Sequence, residues 1–295
     1  MGSKRLKAVV ARGTLPLRLA NEEKFEEGVR NILNLFPTRK VEDARETHQR
    51  LFTNFFTLGR VPVKNFSQGT FEPGKKYVED MRRAEPYRCR HCPYDCTESY
   101  MTDKGERHMV WEAWGPLGTN CLIAHPEASG SQNLENWLEV AQPLAFPELG
   151  FPAALSRFDV QGKGAIVART QDFGCLLDSI TVCLFLSLHQ WVQPSHYTAL
   201  LNHAVGWDLD KDEFLLAGER IFNLKRMISV RRGISRKDDT LPPRILTHRL
   251  PAGGTKGNLP FLGLMLNEYY AARGWSEEGI PTREKLLQLD LRECL

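Results

Sequence analysis

Apolar residues along the chain recur mostly at helical spacing. Phe25, Val29, Ile32, Leu33 and Phe36 mark one face of a helix over EEKFEEGVRNILNLF, with Asn21 placed as its N-cap. VEDARETHQRLFTNFFTL predicts a second helix. The stretch GKGAIVARTQDFGCLLDSITVCLFLSL is apolar on nearly all sides, as a helix in the middle of a larger body would be, and Cys183 falls on it. DKDEFLLAGERIFNLKRMISVRRG follows, with Asp210 as N-cap, Glu213 completing a capping box and Gly233 as the stop. LGLMLNEYYAARG, closed by Gly274, and TREKLLQL, capped by Thr282, are the last helices expected. The one strand candidate is the short LKAVVA, and no internal repeat is visible. The pattern predicts a mainly α fold.

Punctuation divides this helical chain. VPVKNFSQGTFEPGKK reads as a Pro/Gly loop, and the segment after it as irregular. PLAFPELGFPAALSRF, with three prolines, sets an expected boundary near residues 143–160, giving helical units over 15–150 and 151–295.

Charge changes the picture by exclusion. The formal charge of +3 comes from 39 basic and 36 acidic residues interspersed along 295 positions, which argues against a nucleic-acid partner. No run approaches the roughly 18 apolar residues of a membrane span, and the start lacks the apolar core of a signal peptide. Leu6 stands where a myristoylation motif wants Ser or Thr. A cytoplasmic protein without a membrane partner is expected.

Chemistry concentrates in RCRHCPYDCTE, where Cys89, Cys92 and Cys96 fall at C-x-x-C-x-x-x-C. An odd count of seven cysteines, three of them so close, points to a reducing compartment and a metal rather than to disulfides. Thiolates converging from a short loop suit an iron–sulphur cluster or structural zinc, and either needs a fourth ligand. Cys121, Cys175, Cys183 and Cys294 remain for a cluster, and His91 or His108 would complete a zinc site. Asp208, Asp210, Asp212 and Glu219 mimic a calcium loop, but Glu213 occupies the position where that loop turns on glycine, so a helix cap is expected instead. His189, His196 and His203 lie in or beside helical patterns, where packing or solvation is the ordinary role.

Two long runs, AGERIFNLKRMISVRRGISRKDDTLPPR and LMLNEYYAARGWSEEGIPTREKLLQLDL, closely resemble the C-terminal end of the tungsten-containing aldehyde ferredoxin oxidoreductases. CRHCPYDC resembles the family's three-cysteine loop, and MGSKRLKAVVARG a segment that in the family follows a glycine-rich stretch, with residues 1–14 read as a remnant of the N-terminal cofactor-binding domain. The resemblance implies two helical domains with a 4Fe-4S cluster between them. The family's D-x-x-G-L-C element matches DSITVC, which implies Cys183 as the fourth cluster ligand after Cys89, Cys92 and Cys96, and Asp178 and Val182 as contacts to a tungsten bis-pterin. Glu112 matches a glutamate near the tungsten, with a proton-carrying role. The implied activity is oxidation of an aldehyde to a carboxylic acid, with electrons passing through the cluster to ferredoxin or a similar carrier.

The departures are specific. The family's N-terminal domain is not matched beyond its last residues, and a first pterin motif is skipped between about residues 125 and 144. Thr181 and Val182 replace the Gly-Leu of the remaining motif. The cradle is thus expected to be completed by a separate polypeptide. The alternatives are a non-catalytic remnant that keeps its cluster for electron transfer or structure, and a structural zinc protein.

Overall fold

The computed structural model describes residues 13, 14, 16, 18–35, 147–150, 160–182, 192–251 and 256–295, together with the backbone of three short strands. The described part is mostly helical, as the hydrophobic pattern predicts. Helix α1 spans Glu22–Leu35, α2 Lys163–Ser179, α3 Pro194–Val205, α4 Lys211–Val230, α5 Pro243–Thr247, α6 Leu262–Arg273 and α7 Arg283–Gln288. The expected helix over 41–58 and the strand over LKAVVA lie outside the described residues.

Capping chemistry sets several of these boundaries. Asn21 Oδ1 accepts the Lys24 amide at 3.1 Å at the start of α1. At α4 the reciprocal box forms, with Glu213 N–H donating to Asp210 at 2.8 Å and Asp210 N–H to Glu213 at 2.9 Å. The acidic cluster around Asp210 is therefore a helix start, and no calcium loop is needed to explain it. Thr282 accepts the Lys285 amide at 3.2 Å at the start of α7. His196 Nδ1 accepts the Gln193 amide at 2.9 Å, an ordinary capping role.

Helix α2 is the axis of the packing. Lys163, Ile166, Ala168, Gln171, Phe173, Cys175, Leu176 and Leu177 are all buried along it, so several of its faces meet protein. Helices α4 and α6 cover it, and two glycines allow the close approach. A Cβ on Gly218 of α4 would stand 2.3 Å from the Asp172 carbonyl oxygen, and one on Gly164 would stand 2.5 Å from the Tyr269 amide nitrogen. Phe173, Leu176, Leu177, Phe214, Tyr197 and Leu149 form the main core, where each large side chain removed from water contributes roughly 1.5–3 kcal/mol. Helix α1 docks on α3, aided by backbone bonds from Asn21 N–H to the His203 carbonyl (2.8 Å) and from Ala20 N–H to the Ala204 carbonyl (3.1 Å). Residues 147–150 are tied to the same body, because both oxygens of Glu148 accept from Ser195, at 2.8 and 2.6 Å.

Two large buried polar side chains, Arg273 and Asn223, find partners in this core. Arg273 is 1 % exposed. It pairs with Asp172, donates to Ala168 O and Gln171 Oε1 at 2.8 Å each, and lies 4.0 Å from the Phe222 ring centroid. Asn223, fully buried, accepts the Trp275 indole N–H at 2.7 Å. At the start of α2, Gly162 has no side chain with which to cap. Glu268 of α6 substitutes, its two oxygens accepting the amides of Gly162 at 2.9 Å and Gly164 at 2.8 Å.

Two expectations are corrected. The segment expected to be irregular contains strands β1 (Glu85–Tyr87), β2 (Thr97–Met101) and β3 (Arg107–Met109), paired antiparallel in that order. Pro86, which has no amide to donate, sits on the edge strand β1. The helix expected to carry Cys183 stops at Ser179, because Thr181 takes a left-handed backbone with φ 58° that no helix can propagate.

Candidate cofactor site

The residues expected to carry the chemistry divide into two groups. Cys89, Cys92, Cys96, Glu112 and Cys183 lie outside the described residues; Asp178 and Val182 lie inside them. The flanks of the cysteine loop are described. Tyr87 on β1 pairs with Thr97 on β2, so the connection 88–96 that carries all three thiols begins and ends at one place.

The end of α2 is built by a specific turn. Thr181 N–H donates to the Asp178 carbonyl at 3.3 Å and Val182 N–H to the Leu177 carbonyl at 3.0 Å. Together with the left-handed Thr181 these bonds make a Schellman motif, which satisfies carbonyls that a helix end otherwise leaves free. Val182 packs against the core cluster that contains Leu177, the apolar contact that accompanies such motifs. Threonine is an unusual residue for the position. The left-handed region costs an L residue with a Cβ about 1–2 kcal/mol, and β-branched side chains are the least tolerant.

Asp178 sits on the last turn of α2 and is exposed. Its carboxylate forms no hydrogen bond or ion pair with the described residues, and a negative charge at a helix C-terminus is mildly unfavourable. The acid therefore adds nothing to the stability of the described fold. It is open to an outside donor.

Two other features near this axis have structural explanations. Cys175 is buried against Phe222, Tyr270 and Trp275, and burial pushes its thiol above the ordinary cysteine range. It behaves as a small core residue, and Cys294 is likewise buried among Met227, Leu286, Leu289 and Leu291. A cavity of about 420 Å³ between residues 147–150, α2 and α4 is lined by Glu148, Asp172, Asp212 and Glu219. Its less exposed acids are already engaged: Glu148 with Ser195, Asp172 with Arg273, and Glu219 with Lys285 at 2.8 Å. Burial pushes Asp172 up to about 6 although Arg273 pulls it down. Among the described residues no group of three or more His, Cys, Asp or Glu side chains is placed to hold a metal ion, and no helix is long and apolar enough to cross a membrane.

Sequence reasoning missed the role of Thr181 at the turn. The available signal was the glycine at that position in the family motif, since glycine marks a left-handed cap.

The described part is a helical body packed around α2. A family model for "Aldehyde ferredoxin oxidoreductase, domains 2 & 3" matches residues 128–291, more than half of the chain, and the chain belongs to that family. It is similar to the tungsten-containing aldehyde ferredoxin oxidoreductase of Pyrococcus furiosus, with 38 % identity over 247 residues, covering 80 % of this chain and 39 % of the relative. The Pyrococcus abyssi protein of the same name is 37 % identical over 205 residues, covering 68 % of this chain and 32 % of the relative. An aliphatic sulfonate oxidoreductase, WOR-like subunit, from Pyrococcus furiosus is 30 % identical over 126 residues, covering 40 % and 20 %. The chain thus spans two-fifths or less of these relatives. Among solved structures, the active-site complex BamBC of benzoyl coenzyme A reductase matches with a TM-score of 0.60 at 15 % identity, covering 100 % of this chain and 69 % of that one. This likeness shows the fold alone.

Proposed function

We propose that this chain carries the iron–sulphur centre and part of the pterin cradle of an oxidoreductase that converts aldehydes to carboxylic acids and delivers electrons to ferredoxin or a similar carrier. The observation that carries the reading is the turn 178–182. The family's pterin and cluster motif falls on a defined helix end, within the matched span, with its acid exposed and unengaged among the described residues.

The donor set fits. Cys89, Cys92, Cys96 and Cys183 supply four thiolates, the usual complement for a 4Fe-4S cluster. Asp178, as a carboxylate, accepts hydrogen bonds from pterin N–H groups, and Val182 lines the same turn. Glu112 holds or releases the substrate proton. When bound, tungsten in two pterin dithiolenes supplies two-electron chemistry and the cluster single-electron transfer. The part of the family's length that this chain does not span would complete the cradle.

Metal analysis of anaerobically purified protein tests this. We expect about four iron and four sulphide per chain, and tungsten only when the rest of the cradle is present. About one zinc per chain without iron would establish the structural-zinc alternative and refute the proposal.

A further inference from the structure

We infer that the outward face of α4 is a self-association surface, through which two copies of this chain pair antiparallel about a twofold axis near the middle of the helix. The inference goes beyond the cofactor reading and does not rest on it.

Helix α4 buries Phe214, Gly218, Phe222, Asn223 and Met227 against its own chain. Its other side carries Ala217, Ile221, Leu224 and Ile228, spaced four, three and four positions apart. That is the repeat of a two-helix seam, and it keeps the four side chains within roughly 60° of arc. Ala217 and Ile221 are partly buried. Leu224 is 38 % exposed and Ile228 50 % exposed. Arg220 Nε and Arg231 Nη2 donate to the Leu289 and Glu293 carbonyls at 2.7 and 2.8 Å. These bonds fix the C-terminal residues along one edge of the stripe, and Leu224 and Ile228 stay outside that cover.

Charge selects the occupant. Exposed Asp210, Asp212 and Glu213 gather at the start of α4, and exposed Lys225, Arg231 and Arg232 toward its end. Arg226 does not count among these cations, because Asp239 neutralises it at 2.6 Å. Acid first and base last also suits the dipole of the helix itself, but the dipole gives no reason for an exposed leucine and isoleucine between them. An antiparallel second copy uses both features. Ala217 then faces the partner's Ile228, and Ile221 the partner's Leu224. Glu213 and Arg231 lie on one line beside the stripe, roughly five turns apart, so each Glu213 comes to the partner's Arg231. A parallel pair would set like charge against like charge along the whole helix. The antiparallel pair is isologous and closes at two chains. A helix face roughly 30 Å long and 10 Å wide offers less than the roughly 800 Å² per partner of a standard interface, so the dimer is weak and forms with concentration.

Sedimentation of the anaerobically purified full chain over a concentration series tests this. The mass is expected to rise from one chain toward two and no further, and to fall back in high salt. Ile228→Ser is expected to weaken the dimer about tenfold or more, whereas Phe261→Ser, which removes an equally exposed apolar group at the start of α6, leaves it unchanged. Arg231→Glu weakens it several-fold, and Glu213→Arg in the same chain restores it, because both ion pairs are re-formed with their signs exchanged. A single chain at every concentration would overturn the inference. So would a dimer lost in Phe261→Ser and kept in Ile228→Ser, which would put the contact at α6. Should the double variant lose its cap and fail to fold, the salt series on Arg231→Glu decides: a salt dependence equal to that of the parent protein overturns the pairing, and a weaker one supports it.

Discussion

Arg273→Met is expected to destabilise the folded chain by about 3–5 kcal/mol at pH 8, because it leaves the Asp172 carboxylate buried without its cation. The Asp172 side chain is 13 % exposed and its partner 1 %, so water replaces little of what is lost. The variant also deprives the Ala168 carbonyl and Gln171 Oε1 of donors, although Gln171 keeps the Tyr269 hydroxyl at 2.7 Å. Part of the cost depends on pH. Asp172 titrates at about 6 in the parent fold, raised by burial against the downward pull of Arg273. Without Arg273 its pKa rises further, so the variant binds a proton over a range where the parent does not. The stability difference is therefore smallest below pH 6, where both carry the proton, and grows as pH rises through 6. Urea unfolding at pH 5 and pH 8 measures this. An equal difference at the two pH values would show that the carboxylate is not coupled to Arg273.

Gly218→Ala and Gly174→Ala are expected to shift stability in opposite directions. Both glycines lie inside helices, where alanine is intrinsically better by about 1 kcal/mol. The new methyl at 174 meets nothing within 4 Å, so the gain survives there. At 218 it would stand 2.3 Å from the Asp172 carbonyl oxygen and 2.9 Å from Leu176 Cγ, with helix backbone that cannot swing aside. Separating α2 from α4 loosens the main core, and a net loss of about 1–3 kcal/mol or more is expected. Thermal melts of the two variants decide the point. A stabilised Gly218→Ala would mean that the two helices do not cross as closely as described.

How far the sequence revealed this molecule follows from what each feature depends on. Asn21, Asp210 with Glu213, Gly274 and Thr282 act on groups within a few residues of themselves, and their residue types identified helix ends. The all-round apolar character of α2 likewise followed from its composition and anticipated its central place. The Arg273 network did not follow, because a helical arginine reads as solvated until its partners arrive from α2, about a hundred positions away. Nor did the strands, which are three to five residues long and too short to show alternation. Thr181 is the instructive case. Its residue type carries no stop signal; two backbone hydrogen bonds and the seat of Val182 on the core hold the turn. In the candidate site, the pairing of Asp178 with a cysteine five positions on came from the family motif, while the exposure of Asp178 and the break in the helix between the two came from the structure.

The central claim is that a four-thiolate cluster draws its last ligand from beyond this turn. Iron content and EPR spectra of anaerobically reconstituted Cys183→Ser and Cys175→Ser test it most directly. The account predicts that Cys183→Ser loses the cluster or converts it to a three-iron form, because serine is a harder and poorer ligand, while Cys175→Ser keeps about four iron and loses only core packing around Phe222, Tyr270 and Trp275. A normal four-iron spectrum in Cys183→Ser, with cluster loss in Cys175→Ser, would contradict it.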